Sequence, residues 1–436
     1  MTFEKGVHMS MTSTGSRQRW ARLIPVIFVV YSLAFIDRAN FGFGAAAGLS
    51  STLHITAGAT ALLGSLFFLG YFLFQVPGAH YAEKRSAKRI VFWGMILWGI
   101  LASLTGLLTN VSLLMVDRLL LGVVESVLFP SLLVFNTHWF LKPERARANT
   151  FLILGNPITV LWMSIVSGFL IQALNWQWMF ILEGIPSIIM AFIWRAVIDD
   201  YPEQARWLPK EAKSNLKQLL GDEQHAFPTQ LNYWNAFKSR NVVLLSGQYF
   251  LWSVGVYGFV IWLPSIVKAA SGAGLGETGL ISAIPYLIAI ILMVGASYLA
   301  DHQLNRKVYV WPFLLLGGVA LYGSFSIGVS HFLPAMILLA LAGGLMYAPY
   351  GPFFAIIPDI LPRSASGESM ALINSMGALG SFVGAYVVGY LNGATGRPND
   401  GFLVMSLSLI ISGILTIMVQ TKKTAASVSR TASDVS

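Results

Sequence analysis

The stretch YSLAFIDRANFGFG, from Tyr31 to Gly44, places two adjacent charged residues, Asp37 and Arg38, inside an otherwise apolar run. A charged side chain in such a run is costly in a bilayer unless it has a partner or a function. The run extends over residues 23–47 and exceeds the roughly 20 apolar residues that a helix needs to cross the hydrocarbon core. The stretch therefore predicts a membrane-spanning helix with functional charges near its middle.

The composition of the whole chain agrees with a membrane protein. Hydrophobic residues make up 56% of the 436 residues and charged residues 11%, whereas a soluble domain has about 25% charged residues. So few charges cannot cover a water-facing surface, but a protein solvated by lipid needs no such surface. The absence of cysteine also excludes disulfides, thiolate metal sites and cysteine nucleophiles.

Apolar runs long enough to cross a bilayer recur along the chain, and most of the connections between them are short. One connection is long and polar, and it divides the runs six and six. We predict an all-α fold with an N-terminal tail at 1–22, a six-helix bundle at 23–198, a cytoplasmic central loop at 199–240, a second six-helix bundle at 241–420 and a disordered tail at 421–436. The twelve predicted spans are 23–47, 57–77, 90–109, 112–136, 150–172, 178–198, 241–268, 279–300, 308–328, 332–357, 368–391 and 400–420.

The basic residues indicate the orientation. Most of the 28 Lys and Arg residues fall in the tails, the central loop and the even-to-odd connections, which the positive-inside rule places in the cytoplasm. The N-terminal tail lacks the apolar core of a signal peptide. We therefore expect a multi-pass protein of a bacterial inner membrane with both termini in the cytoplasm. The net charge of +9 then reflects topology and does not indicate a nucleic-acid partner.

Two loops suggest an internal repeat. EKRSAKR, from Glu83 to Arg89, and DHQLNRK, from Asp301 to Lys307, each follow the second span of their half. In each, an acid precedes two basic residues by five and six positions. Two parallel six-helix halves are the plan of the major facilitator superfamily, whose loop signature these loops resemble. The resemblance implies that they act as conformational latches through Glu83, Lys88 and Arg89 in the first loop and Asp301, Arg306 and Lys307 in the second.

Charges inside the spans are confined to the first half. Besides Asp37 and Arg38, span four contains Arg118 and Glu125, which are seven residues apart and so lie on one helix face about 10 Å apart. These charges could be structural ion pairs, and Arg38 could neutralise Asp37 directly. In a membrane, however, such residues usually mark substrate or proton pathways. Spans seven to eleven offer neutral polar groups instead: Gln248, Tyr249, Trp252, Tyr257, Tyr286, Tyr347, Tyr350, Asn374 and Ser375.

Other candidate motifs carry less weight. Glu183, near the start of span six in WQWMFILEGIPS, is interpreted as a structural helix-end contact. GAGLG at Gly272 has no following βα unit and is not a nucleotide loop. Walker A, HExxH and Ser-His-Asp arrangements are absent from the sequence. We therefore expect neither an enzyme nor a metal or organic cofactor.

Three stretches resemble the anion:cation symporter family of the major facilitator superfamily: FIDRANFGFG, RLLLGVVESVLFPSLL and DYPEQARWLPKEAK. The resemblance covers nearly the whole chain except the tails. Bacterial members of that family include permeases for sugar acids such as galactonate, rhamnonate and glucarate, and for tartrate, phthalate and hydroxyphenylacetate. The resemblance implies a monomeric transporter in the lipid bilayer that imports a small organic anion, with H⁺ as the coupling ion.

The same resemblance implies roles for individual residues. Arg38 would bind the substrate carboxylate with Arg118 beside it, and Asp37 and Glu125 would form the protonatable pair. The predicted substrate-binding set is completed by Asn156 and Asn374, which match positions that hydrogen-bond sugar-acid hydroxyls, and by Gln248 and Tyr350. The chain departs from the sugar-acid permeases at Phe35, which replaces a tyrosine, and at Leu161 and Trp162, which bring bulk to span five.

Elementary energetics also favours coupled anion uptake. A negative cell interior opposes entry of an anion by about 2.3 kcal/mol per charge per 100 mV, so accumulation needs a cation. The alternatives are a proton-driven drug exporter of the same fold, uptake of an aromatic or dicarboxylic acid, and sodium coupling. A membrane-embedded enzyme or a non-transporting receptor has less support.

Overall fold

The computed structural model describes residues 13–84, 86–224, 239–301, 306–328, 331–360, 366–395 and 398–420, and its regular secondary structure over these residues is entirely helical. Twelve helices in this part of the chain are long and apolar enough to cross a membrane. The predicted twelve-span all-α architecture is therefore confirmed. Five predicted segments lie partly or wholly outside the described residues: 1–12 of the N-terminal tail, 225–238 of the central loop, residue 85 of the first repeated loop, 302–305 of the second, and the whole C-terminal tail, 421–436.

The twelve spans follow one another in chain order, and the connections between them are short except for the central loop between spans six and seven. Spans one to six are the helices Ser13–Ala46, Ala57–Lys84, Ala87–Leu107, Val111–Ser126 with Leu128–Trp139, Lys142–Ala173 and Trp176–Val197. Spans seven to twelve are Arg240–Ser271, Leu275–Asp301, Trp311–Ile327, Phe332–Tyr347 with Tyr350–Ile360, Ser366–Thr395 and Pro398–Met418. Between these lie the short helices Leu49–Thr52, Pro202–Gln204, Lys210–Gln224 and Arg306–Tyr309.

Spans four and ten are interrupted, which the sequence analysis did not predict. The first piece of each span is 16 residues long, so the interruptions fall at matching positions in the two halves. In span ten the second piece follows Pro349, which lacks the N–H that would continue the helical hydrogen bonds. In span four the interruption comes directly after Glu125 and Ser126. The matching positions support the internal repeat and place Glu125 beside a break in its helix.

On one side of the bundle the two halves meet closely. We call the side where span one begins and span twelve ends the terminal side, and the other the opposite side. On the opposite side, Gly42 lies against the backbone carbonyl of Ile261, and Gly168 lies against Gly279. The Lys268 Nζ also donates a hydrogen bond of 2.7 Å to the Ala46 carbonyl oxygen. These contacts join spans one and five to spans seven and eight and close the opposite side.

The close approach at Gly42 predicts a conformational effect. In Gly42→Leu the added Cβ would collide with the Ile261 carbonyl oxygen, and overpacking of this kind costs about 1–3 kcal/mol. We expect the opposite side to open, so that a cysteine at Phe68, whose ring packs on Tyr257, reacts about tenfold faster with an impermeant thiol reagent added on that side. The rate at which this cysteine is labelled in sealed vesicles measures the opening.

The matched control for Gly42→Leu is Gly94→Leu in span three. A Cβ added at Gly94 has no atom within 4 Å, so this variant should label at the rate of the Phe68→Cys parent. Equal labelling rates in the two leucine variants would contradict the assignment of Gly42 to the closed side.

On the terminal side, the start of the central loop binds the first repeated loop. The Asp200 carboxylate accepts hydrogen bonds from the Ser86 hydroxyl and from the Lys88 backbone N–H, and so caps the start of span three. The Lys88 Nζ forms an ion pair of 3.3 Å with Asp199. Trp207 stacks on Trp139 with 5.5 Å between ring centroids. The DYPEQARW stretch therefore anchors the central loop to the first half.

The second repeated loop makes comparable contacts within its own half. Arg306 donates to the Ala355 carbonyl oxygen in span ten, and Lys307 donates to the Val419 carbonyl oxygen at the end of span twelve. In the first loop, the Arg89 backbone N–H donates to Ser86. The side chains of Glu83 and Asp301 lie outside the described part of the structure. The contacts described for these loops are thus within each half, and a latch role stays a prediction.

Candidate functional site

A buried cavity of about 80 Å³ lies between the two halves. Spans one, two, four and five form one wall, and spans seven, ten and eleven form the other. Arg38 is the one charged residue among the described lining residues, and most of the rest are aromatic or small and polar. The lining residues are Tyr31, Phe35, Arg38, Phe68, Tyr71, Phe129, Ile153, Asn156, Tyr249, Ser253, Tyr257, Tyr350, Phe354, Asn374, Gly377, Ala378 and Ser381.

Arg38 forms a buried ion pair with Glu125 across spans one and four. The distance from its Nη2 to the Glu125 Oε2 is 3.2 Å, and the two side chains are 7% and 0% exposed. The guanidinium also lies over the rings of Phe35 and Tyr71, 4.4 and 4.8 Å from their centroids. The direct pairing of Arg38 with Asp37 considered from the sequence is not found, because consecutive residues on a helix do not face each other.

Arg118 occupies a different position from Arg38. Its guanidinium is buried, lies over Phe41 at 5.2 Å and donates a hydrogen bond of 3.4 Å to the backbone oxygen of Asp37. Arg118 is not among the residues that line the cavity. The seven-residue spacing of Arg118 and Glu125 puts them on one helix face, but Glu125 forms its ion pair with Arg38. The structure thus brings Asp37, Arg38, Arg118 and Glu125 into one cluster, and only Arg38 reaches the cavity.

The remaining predicted substrate-binding residues divide into two groups. Asn156, Tyr350 and Asn374 line the cavity. Gln248 does not: it is fully buried in span seven, and its backbone oxygen accepts a hydrogen bond of 2.9 Å from the Ser412 hydroxyl in span twelve. Trp162 is 38% exposed on the outer surface of the bundle, so its bulk does not enter the cavity.

Several residues that line the cavity were not predicted from the sequence. Tyr31 and Tyr71 place phenol rings beside Arg38, and Phe68 packs on Tyr257 across the two halves. Tyr31 could have been found, since it lies seven residues before Arg38 and therefore on the same helix face. Tyr71 and Phe68 lie in span two, where no charged residue within the apolar run marks the cavity-facing side.

A larger vestibule of about 400 Å³ leads to the cavity from the terminal side. Asn149 near the start of span five, Ala300 near the end of span eight and Met370 near the start of span eleven lie on its wall. The cavity and the vestibule share four lining residues, Phe129, Ile153, Phe354 and Asn374. The site is therefore approached from the terminal side and closed on the opposite side.

Comparison with family models shows a match to the model described as the major facilitator superfamily, over residues 27–385 and 267–433. Among solved structures, a crystal structure of a bacterial homolog to the human lysosomal transporter Spinster, described as inward-facing and unoccupied, superimposes with a TM-score of 0.69. It covers 92% of this chain and 95% of that one at 17% identity, which shows the fold alone.

Curated relatives align along most of the chain. A protein named as a tartrate transporter from Agrobacterium vitis is 30% identical over 94% of this chain and 92% of its own length. A protein named as a quinolone resistance transporter from Acinetobacter baumannii is 30% identical over 97% of this chain and 96% of its own. A protein named as a probable sulfoacetate transporter from Cupriavidus necator is 24% identical over 91% of this chain and 93% of its own length.

Proposed function

Because the chain belongs to the major facilitator superfamily, we propose that it is a secondary transporter that imports an organic anion, a sugar acid of the aldonate type, together with protons. The observation that carries this proposal is the buried Arg38–Glu125 ion pair at the wall of the central cavity. As a transporter of this kind, the protein is not an enzyme.

Arg38 is the anion-binding group in this proposal. A guanidinium can donate two parallel N–H hydrogen bonds to a carboxylate, and Arg38 is the charged side chain among the described cavity residues. The rings of Phe35 and Tyr71 hold it in place. An entering carboxylate therefore competes with Glu125 for one guanidinium.

This competition gives a physical basis for coupling. Breaking a buried ion pair leaves an uncompensated charge, which is strongly unfavourable. If a proton binds Glu125 as the substrate arrives, Glu125 becomes neutral and Arg38 is free to bind the substrate carboxylate. Asp37 lies next to Arg38 in the chain and adds a second carboxyl group to the cluster. Before the substrate binds, Arg38 is paired with Glu125; afterwards Arg38 is paired with the substrate carboxylate and Glu125 is protonated. Anion and proton are then taken up together, because neither state leaves a charge on Arg38 or Glu125 unpaired.

The polar lining supports a hydroxylated substrate. Asn156 and Asn374 face the cavity from opposite halves, and the Asn156 side-chain oxygen is buried without a hydrogen-bond partner. A buried polar atom of this kind is costly unless a ligand or water satisfies it. Substrate hydroxyls are suitable partners for both amides. The cavity is continuous with the larger vestibule, and relatives are named for the hydroxylated acid tartrate and for sulfoacetate.

A drug exporter is a second candidate. The cavity contains many aromatic side chains, including Tyr249, Tyr257 and Phe354, and one relative is named for quinolone resistance. Aromatic walls suit flat apolar compounds. The buried Arg38 favours anionic over cationic cargo and so favours the organic-acid proposal among the two.

The experiment for this proposal is uptake into proteoliposomes of purified protein. Labelled galactonate, glucarate, tartrate, phthalate and sulfoacetate are compared, with a quinolone included for the exporter alternative. The proposal expects saturable uptake of a hydroxylated monocarboxylate such as galactonate, inhibited by the unlabelled acid. Transport of the quinolone alone would refute it, as would no uptake of any acid by protein shown to be folded.

The proposal includes an orientation with the terminal side in the cytoplasm. Because the chain has no cysteine, single cysteines report topology cleanly. We expect Ser214→Cys, exposed on the central-loop helix, to resist an impermeant thiol reagent in intact cells. Thr109→Cys, exposed between spans three and four, should react. The reverse pattern would contradict the orientation.

A further inference from the structure

Glu183 is a buried carboxylate to which the mechanism above gives no role. Its side chain is in span six and its residue is 6% exposed. Its Oε1 accepts a hydrogen bond from the Ser167 hydroxyl, and its Oε2 accepts one of 3.1 Å from the Asn40 amide. Within the described part of the chain, Glu183 forms no ion pair with a basic residue. It is therefore a hydrogen-bonded acid without a cation.

Asn40 connects Glu183 to the substrate cluster. The same amide nitrogen that donates to Glu183 lies 3.5 Å from the Asp37 Oδ1. The Asp37 Oδ2 and the Asn40 Oδ1 are buried and have no hydrogen-bond partner. A continuous polar path thus runs from Ser167 through Glu183 and Asn40 to Asp37, which precedes Arg38 at the cavity wall.

The path lies on the closed side of the cavity. Glu183 is seven residues from the start of its helix at Trp176, which places it about 10 Å from the opposite-side end of span six. Asp37 is nine residues before the end of span one at Ala46, so it lies deeper. Glu183 therefore stands between Asp37 and the side of the bundle that is closed in this structure.

The charges around this path do not balance. The described buried charged residues of the first half, apart from Arg19 near the start of span one, comprise two arginines and four carboxylates: Arg38, Arg118, Asp37, Asp117, Glu125 and Glu183. An unpaired buried charge is very costly, and such a group becomes neutral instead. Two of the four carboxylates therefore have to carry protons when no other cation is present.

The neighbours of Glu183 make it one of the proton carriers. Arg38 pairs with Glu125, and Arg118 donates its hydrogen bond to the backbone oxygen of Asp37, which places its charge near that residue. The titratable group that faces Glu183 is Asp37 on span one. Span five presents Ser167, and span three presents Ser103 beside Gly184.

We propose that Glu183 is a proton-binding site of the transport cycle, joined to Asp37 through Asn40, and that one proton carried with each anion binds this pair. The proposal rests on the proposed proton symport and adds a group to it. In the competing interpretation, Glu183 only ties spans one, five and six together. The two interpretations differ in the number of protons moved per anion, which protein amount and folding yield do not change.

The test measures the equilibrium accumulation ratio of labelled galactonate, or of another monocarboxylate if the uptake panel identifies one. Proteoliposomes carry an imposed pH gradient, and the membrane potential is clamped at zero with potassium and valinomycin. Each coupled proton contributes about a tenfold ratio per pH unit. We expect Glu183→Gln, which keeps the shape of the side chain, to lower the ratio about tenfold per pH unit relative to wild type. An unchanged ratio would overturn the proposal.

Two further variants provide a second test of the proposal and a matched control. Asn40→Ser removes the amide that joins Glu183 to Asp37 but leaves Glu183 in place. We expect this variant also to lose one coupled proton per anion. If Glu183→Gln does not fold, the accumulation ratio of Asn40→Ser alone tests the proposal. Asp117→Asn is the matched control, because Asp117 is also a buried acid but accepts its hydrogen bond from Thr105; its ratio should equal that of wild type. An equal fall in Asp117→Asn would overturn a specific role for Glu183. Failure of wild type to take up any acid would refute the proposed function instead.

Discussion

Arg38→Lys is expected to lower the initial rate of substrate uptake by roughly 10- to 100-fold while the protein stays folded. Lysine keeps the charge but loses the planar fork that binds a carboxylate through two hydrogen bonds. It also loses the stacking of the guanidinium on Phe35 and Tyr71. Hydrogen bonds to charged groups contribute about 1.5–3 kcal/mol each, which corresponds to the expected loss. Tracer uptake and thermal unfolding of the same preparation measure the two quantities.

A matched arginine provides the control for this substitution. Arg195 near the end of span six also lies over an aromatic ring, that of Phe92 at 5.2 Å, but it is exposed and does not line the cavity. Arg195→Lys should transport at the wild-type rate. Near-normal apparent affinity in Arg38→Lys would contradict the assignment of Arg38 to the substrate carboxylate.

Glu125→Gln is expected to separate exchange from proton-driven accumulation. Glutamine has the shape of a protonated glutamate, so Arg38 stays available to the substrate and internal substrate still exchanges for external substrate. Release of the coupled proton is no longer possible at this position. Accumulation driven by a pH gradient should therefore fall by about tenfold or more per pH unit. Both activities are measured in one batch of proteoliposomes.

A purely structural role for Glu125 leads to a different result. Removal of its charge would then leave Arg38 buried without its acidic partner, which is strongly destabilising. Exchange, accumulation and thermal stability would decline together. Equal loss of exchange and accumulation would favour that interpretation, and full retention of proton-driven accumulation would exclude Glu125 as an essential proton carrier.

The sequence predicted the spans well because length and hydropathy alone determine whether a helix can cross a bilayer. It also predicted Arg38 and Glu125 as site residues, since charges inside apolar runs stand out, and the structure places them in one ion pair. It could not determine which acid pairs with Arg38, because that depends on how spans one and four pack. Neighbouring sequence positions suggested Asp37, whereas the helix geometry selects Glu125.

Other features of the site depend on packing that no local pattern reveals. Arg118 shares a helix face with Glu125, yet Phe41 and the Asp37 backbone hold it away from the cavity. Gln248 is fully buried in span seven and does not line the cavity. Glu183 accepts a hydrogen bond from Asn40, which is 143 positions away in the chain. These placements follow from contacts between helices and required the three-dimensional structure.

The most direct test of proton-coupled anion uptake is proton movement caused by the anion itself. Proteoliposomes that enclose a pH-sensitive dye, with no gradient imposed, receive galactonate or the monocarboxylate identified by the uptake panel. We expect the lumen to acidify as the anion enters, and Arg38→Lys to abolish the signal. Entry of the anion without acidification, or entry that requires sodium instead, would contradict proton-coupled uptake.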